Sequence, residues 1–115
     1  KKPAGFHTAE IREKGTRKGF ELISLGGEQS ILSHVNIKSS NRVGKYGVDI
    51  PAFENFIDSI NFEDPENKCI IIDEIGKMEL FSNKFRNQLK KLLDSDKLLI
   101  ASIALRGKGI IRDIE

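Results

Sequence analysis

Cysteine occurs once, at Cys69, so no disulfide can form within these residues. That suits a reducing compartment, and a cytoplasmic location is expected. No apolar run reaches the roughly 18 residues that would cross a bilayer, and no secretory signal pattern is visible. Charge of one sign is also missing. Nineteen basic and 17 acidic residues leave a net +2, which gives no field to attract nucleic acid or an anionic membrane. His7 and His34 stand far apart without Cys or acidic neighbours at ligand spacing, so a zinc site is not expected. There is no Ser-His-Asp order, no nucleophile elbow and no internal repeat.

What is present is an ordinary globular composition, 38% hydrophobic and 31% charged, in a chain long enough for one modest domain. Its organising stretch is Lys68 to Leu80, K-C-I-I-I-D-E-I-G-K-M-E-L. Cys69, Ile70, Ile71 and Ile72 form a run without alternation. Such a run reads as a strand of a parallel sheet, buried on both faces, with Cys69 as an inert buried thiol. Asp73 and Glu74 follow at its carboxyl end, where open α/β sheets bind ligands.

The flanking sequence supplies the rest of a domain. Gly5 to Arg12, Phe20 to Leu25 and Gln29 to Val35 read as three short strands of an antiparallel meander. Ile37 to Val48 lacks periodicity and reads as a loop made basic by Lys38, Arg42 and Lys45. It is either a solvated loop or a flap near a polyanionic ligand. Pro51 to Phe62 is expected to be helical, N-capped by Asp49, with Phe53, Phe56, Ile57 and Ile60 as its core stripe. Ser82 is expected to cap a second helix through Leu93, with Phe85, Leu89, Leu92 and Leu93 inward. Leu98 to Leu105 is a second continuous apolar run and hence a second buried strand. Strand, helix and strand make a βαβ unit.

Two adjacent acids after an apolar strand have the form of a Walker B element. One carboxylate holds Mg²⁺, a hard ion that prefers oxygen ligands. The next, pointing elsewhere, orients or deprotonates a water. The hexamer alone also fits a strand that ends in two solvated acids. Ser102, late in the next strand, can meet a phosphate or can simply be a small packing residue. Arg106, in R-G-K-G, is a candidate phosphate contact or part of a plain surface loop. Lys77, just beyond the sheet edge, can pair with a phosphate or with Glu74, or Lys77 and Glu79 can form a solvated pair. A phosphate-binding G-x-x-x-x-G-K-[ST] loop is absent from these residues.

Several blocks together resemble the THEP-type nucleoside-triphosphatases, P-loop enzymes of archaea, bacteria and animals. They are I-I-I-D-E-I-G-K-M-E-L-F-S-x-K-F-R (Ile70 to Arg86), V-G-K-Y-G-V-D (Val43 to Asp49), G-F-H-T-A-E-I-R (Gly5 to Arg12) and K-G-F-E-L-I-S-L (Lys18 to Leu25). The resemblance implies an α/β, RecA-like P-loop fold of three layers with an antiparallel β-hairpin insertion, truncated at both ends relative to the family. It divides the chain into residues 1–36 as the inserted strands and 49–115 as the core. It implies Mg²⁺-dependent hydrolysis of nucleoside triphosphates, ATP, GTP and others, to diphosphate and phosphate. Asp73 would be the Mg²⁺ ligand and Glu74 the catalytic base. Ile70, Ile71, Ile72, Asp73, Glu74, Ile75, Gly76 and Lys77 would form a nucleotide-contacting segment, joined by Ser102 and Arg106. The family's opening strand and glycine-rich loop have no counterpart here, and Ala9 replaces the first acid of its usual T-E-E. The alternative is a nucleotide-dependent switch or assembly factor with slow hydrolysis, its partner surface on Lys38 to Lys45 and the hairpin.

Overall fold

A computed structural model describes residues 3–103. The elements run β1 (Ala4–Glu13), β2 (Thr16–Ser24), β3 (Gln29–His34), β4 (Arg42–Val43), β5 (Tyr46–Val48), α1 (Ile50–Asp58), β6 (Cys69–Ile75), a 3-10 turn (Glu79–Phe81), α2 (Asn83–Leu93) and β7 (Leu98–Ile103). The strands join one sheet in the order β4-β5-β3-β2-β1-β6-β7. β1, β2 and β3 form the antiparallel meander. β6 runs parallel to both β1 and β7, so the meander and the βαβ unit share one sheet.

Both helices start where their caps predict. The Asp49 side chain accepts the Ala52 N–H at 3.0 Å, and Pro51 sits in the first turn. The Ser82 hydroxyl oxygen accepts the Phe85 N–H at 3.0 Å and donates its own proton to Glu54 at 2.6 Å, which fastens α2 to α1. α1 is shorter than its apolar stripe. It ends at Asp58, and Ile60 and Phe62 are buried from the turns that follow, because a chain leaving a helix can still return side chains to the core. Leu93, expected inward, is 46% exposed; it lies off the Phe85, Leu89, Leu92 stripe.

The helices cover one face of the sheet. Phe6 of β1 sits at the centre, with Phe53, Phe56 and Phe85 edge-on at ring-centroid distances of 6.3, 5.6 and 6.0 Å. Leu22, Ile70 and Ile72 alternate onto this same face and are fully buried. The opposite face is open among the described residues. Ile31, Leu98 and Ile100 are 48%, 60% and 50% exposed, and Cys69 and Ile71 are half-buried. Neither parallel strand is therefore buried on both faces as expected, and Cys69 is not a fully buried thiol. An unalternated apolar run shows that both faces are apolar; it does not show what packs on them. Ala104 and Leu105 of the expected strand lie outside the described residues.

The expected loop at 37–48 contains a small hairpin, β4 and β5, turned at Gly44 with φ of 59°. Its strands are too short to show a period. It closes because Ser33 and His34 of β3 pair with Val48 and Gly47, which buries Tyr46, Gly47 and Val48. At the other side of the meander, Gly5 adopts φ of 139°, and a Cβ there would lie 1.7 Å from the Ile71 carbonyl oxygen. Only glycine allows β1 to approach β6 this closely. That approach sets the register that aligns His7 with Asp73.

Candidate active site

β6 continues past its apolar run, which stops at Ile72, and ends at Ile75. Ile72 and Ile75 are fully buried, and between them Asp73 and Glu74 are exposed. The ladder to β7 is irregular at this point, with Asp73 opposite Ser102 and Ile75 opposite Ile103. The peptide between the two acids is cis. Bulges of this kind re-aim side chains at strand ends. The Ser102 hydroxyl donates to Asp73 Oδ1. Register places His7 on the other flank of Asp73, so His7, Asp73 and Ser102 form one row across β1, β6 and β7. The row lies on the open face, at the carboxyl ends of the parallel strands.

Immediately after β6 the chain makes a tight, largely inward turn. Ile75 is fully buried, Gly76 is half-buried and Lys77 is exposed. Glu79 is 4% exposed, and its Oε1 accepts the Gly76 N–H at 3.0 Å. Burial pushes this carboxyl up to about 7, and the nearby Glu74 charge adds to the push. Of the two readings of these residues, the solvated Lys77–Glu79 pair fails, because Glu79 is buried. The sequence did carry a signal: Glu79 stands between Met78 and Leu80-Phe81, all hydrophobic. The Leu80 N–H closes the turn on the Gly76 carbonyl at 3.2 Å, and the Ser33 hydroxyl donates to the Met78 sulfur at 3.2 Å.

The other expected contacts divide clearly. Ile70, Ile72 and Ile75 point into the core, and Ile71 lies on the open face. Arg106 lies outside the described residues. The basic segment Lys38 to Lys45 is not a flap over Asp73. Four strands separate β4 from β6, and Arg42 is committed to the carbonyls of Ile37 and Lys45 at 3.0 and 2.8 Å. Arg12 pairs with Glu10 at the hairpin. A cleft lined by Ala4, Ser24, Glu28 and Asn61 sits where β1 begins, with Ala4 paired to Ile70 near the start of β6. Among the described residues no group of three or more His, Cys, Asp or Glu is placed to hold a metal. No helix there is long and apolar enough to cross a membrane.

The sequence profile described as NTPase matches residues 1–115. The chain belongs to this NTPase family. A similar member is the nucleoside-triphosphatase THEP1 of Thermotoga sp. (strain RQ2), 47% identical over 112 residues, covering 96% of this chain and 64% of that protein. The cancer-related nucleoside-triphosphatase homolog of Mus musculus is 35% identical over 115 residues, covering 91% and 60%. Among solved members, THEP1 from Aquifex aeolicus superposes with a TM-score of 0.85 at 34% identity, covering 97% of this chain and 67% of that one. A human cancer-related nucleoside triphosphatase gives 0.71 at 33%, covering 88% and 59%. The fold is thus the P-loop NTPase fold of the family. The chain spans about 64% of the length of the Thermotoga relative.

Proposed function

We propose that the full-length protein hydrolyses nucleoside triphosphates to diphosphate and phosphate, with Asp73 and Glu74 as the centre of the site. The observation that carries this reading is the pair of exposed carboxylates at the end of β6, with Asp73 tied to Ser102 on the adjacent parallel strand. The naming of family members as nucleoside-triphosphatases supports it. Asp73 and Ser102 offer hard oxygen donors, which fit Mg²⁺ bound through a single carboxylate, substrate phosphates and water. When bound, the ion would neutralise charge on the phosphate oxygens.

The chain's own residues would divide the remaining work. Asp73 is held in place by the Ser102 hydroxyl, which fixes its orientation. Glu74, one residue on and turned differently by the irregular ladder, would accept a proton from the attacking water and hold it in line with the γ-phosphorus. Ser102, opposite Asp73, and Lys77, exposed just past the end of β6, would contact phosphate oxygens. Ile70, Ile71, Ile72, Ile75 and Gly76 would contribute by placing the two acids. Broad use of ATP, GTP and other triphosphates is proposed with it. A cytoplasmic location rests on the single cysteine.

Phosphate release by the full-length protein with Mg²⁺ and each triphosphate tests the reading. Glu74→Gln is expected to keep nucleotide affinity and lose roughly 10²–10⁴-fold in kcat, the range of a general base. Unchanged kcat in that variant would remove Glu74 from the mechanism, and no turnover by the unaltered protein would remove hydrolysis itself.

A further inference from the structure

Glu79 is a buried ionisable group that the hydrolysis scheme leaves without a task. Burying a carboxyl costs stability unless something is gained from it, and a hydrophobic side chain would fill the same space more favourably. Its surroundings show what it holds. The segment that leaves β6 is pinned at one end by the fully buried Ile75 and at the other by Leu80, 4% exposed. Between them Gly76 has no side chain to anchor it. Its carbonyl is taken by the Leu80 N–H and its N–H by Glu79 Oε1. Gly76 is two residues from Glu74. These two hydrogen bonds fix the orientation of its peptide where the chain leaves β6.

We propose that Glu79 is a positioning residue: by accepting the Gly76 N–H from within the 3-10 turn, it fixes the exit of β6 and thereby the direction of Glu74. The proposal rests on the hydrolytic reading above for its effect on turnover, but not for its effect on Gly76. Glu79 lies in the interior and touches no reacting atom. Its influence passes through the backbone of Gly76 and Ile75.

The test compares the full-length protein with its Glu79→Ala and Glu79→Gln forms, by kinetics and by amide hydrogen exchange. Glu79→Ala is expected to lower kcat about tenfold or more while KM for the triphosphate stays within about twofold, the split for a misaimed group that does not bind substrate. Exchange of the Gly76 amide should accelerate about tenfold in the same variant, because its acceptor is gone. Glu79→Gln keeps a side-chain carbonyl for that N–H and is expected to restore both readouts to within about threefold. If Glu79→Ala does not fold, Glu79→Asp, one methylene too short to reach Gly76, replaces it.

Wild-type kcat in a folded Glu79→Ala or Glu79→Asp protein would overturn the proposal. So would an unchanged Gly76 exchange rate, or a Glu79→Gln enzyme as slow as Glu79→Ala. Should the unaltered protein not hydrolyse triphosphates at all, the hydrolytic reading fails by that result alone, and Gly76 exchange still decides whether Glu79 holds the strand exit.

Discussion

The two faces of the sheet are both apolar in sequence and differ in what lies on them. On the covered face, Phe6, Leu22, Ile70 and Ile72 meet Phe53, Phe56 and Phe85 from two helices. On the other, Ile31 of β3 and Leu98 and Ile100 of β7 reach solvent among the described residues. The row of His7, Asp73 and Ser102 belongs to this second face. Packing and candidate chemistry are thus carried by alternate residues of the same strands. A substitution at one position tests the fold, and one at its sequence neighbour tests the site.

That division can be broken most forcefully in the aromatic centre. Phe85→Ala is expected to destabilise by about 3–5 kcal/mol, since Phe85 is fully buried against Phe6 and Phe53 at 6.0 and 5.2 Å. Urea unfolding measures it, and a loss below about 1 kcal/mol would mean the covered face is not the core.

The next effect is that of pH on Glu79. Its folded-state value of about 7 lies above the ordinary 4.5, so the native state holds the proton more tightly than the unfolded chain. The contribution to stability is therefore greatest below pH 4.5 and is lost as pH rises towards 7, by about 3 kcal/mol in total. Thermal melts of the wild type minus Glu79→Gln across that window should show this slope. A flat difference would place Glu79 in a wetter setting than its burial indicates.

Crossing to the site row, Asp73→Asn is expected to raise the Mg²⁺ needed for half-maximal turnover about tenfold, or about 1.4 kcal/mol. A titration that overlays the wild type would remove Asp73 as the ligand. The smallest effect belongs to the exposed apolar positions. Ile100, 50% exposed, should tolerate Thr at a cost below about 0.5 kcal/mol in the chain of residues 1–115. A larger cost in a longer form of the protein would identify a segment that covers this face and would end the asymmetry described above.

The same two faces explain what was legible in the sequence. Strand and helix identity follow from local pattern, so β1, β2, β3, β6 and both capped helices could be read before the structure. The irregular end of β6 could not, because it depends on pairing with β7. β4 and β5 were invisible for a similar reason: two or three residues carry no period, and their closure depends on β3. The apolar runs of β6 and β7 predicted cover on two sides, whereas cover depends on what else packs there. Asp73 and Glu74 stood out as candidate chemistry by their place after the apolar run, Ser102 stayed open between phosphate contact and packing, and the roles given to all three came from the family resemblance. The buried setting of Glu79 was signalled only by its apolar neighbours Met78, Leu80 and Phe81, against a charge that normally marks solvent.

Gly5 bears on how this chain would look to a selection experiment. With a Cβ excluded by the Ile71 carbonyl, nearly every substitution at position 5 would separate β1 from β6. Saturation mutagenesis scored by activity would rank Gly5 beside Asp73 and Glu74, although it has no side chain with which to touch a substrate. Scored by abundance, Gly5 would remain intolerant while Glu74 would not. The two screens together would separate residues that bring the strands together from residues that act once they have met.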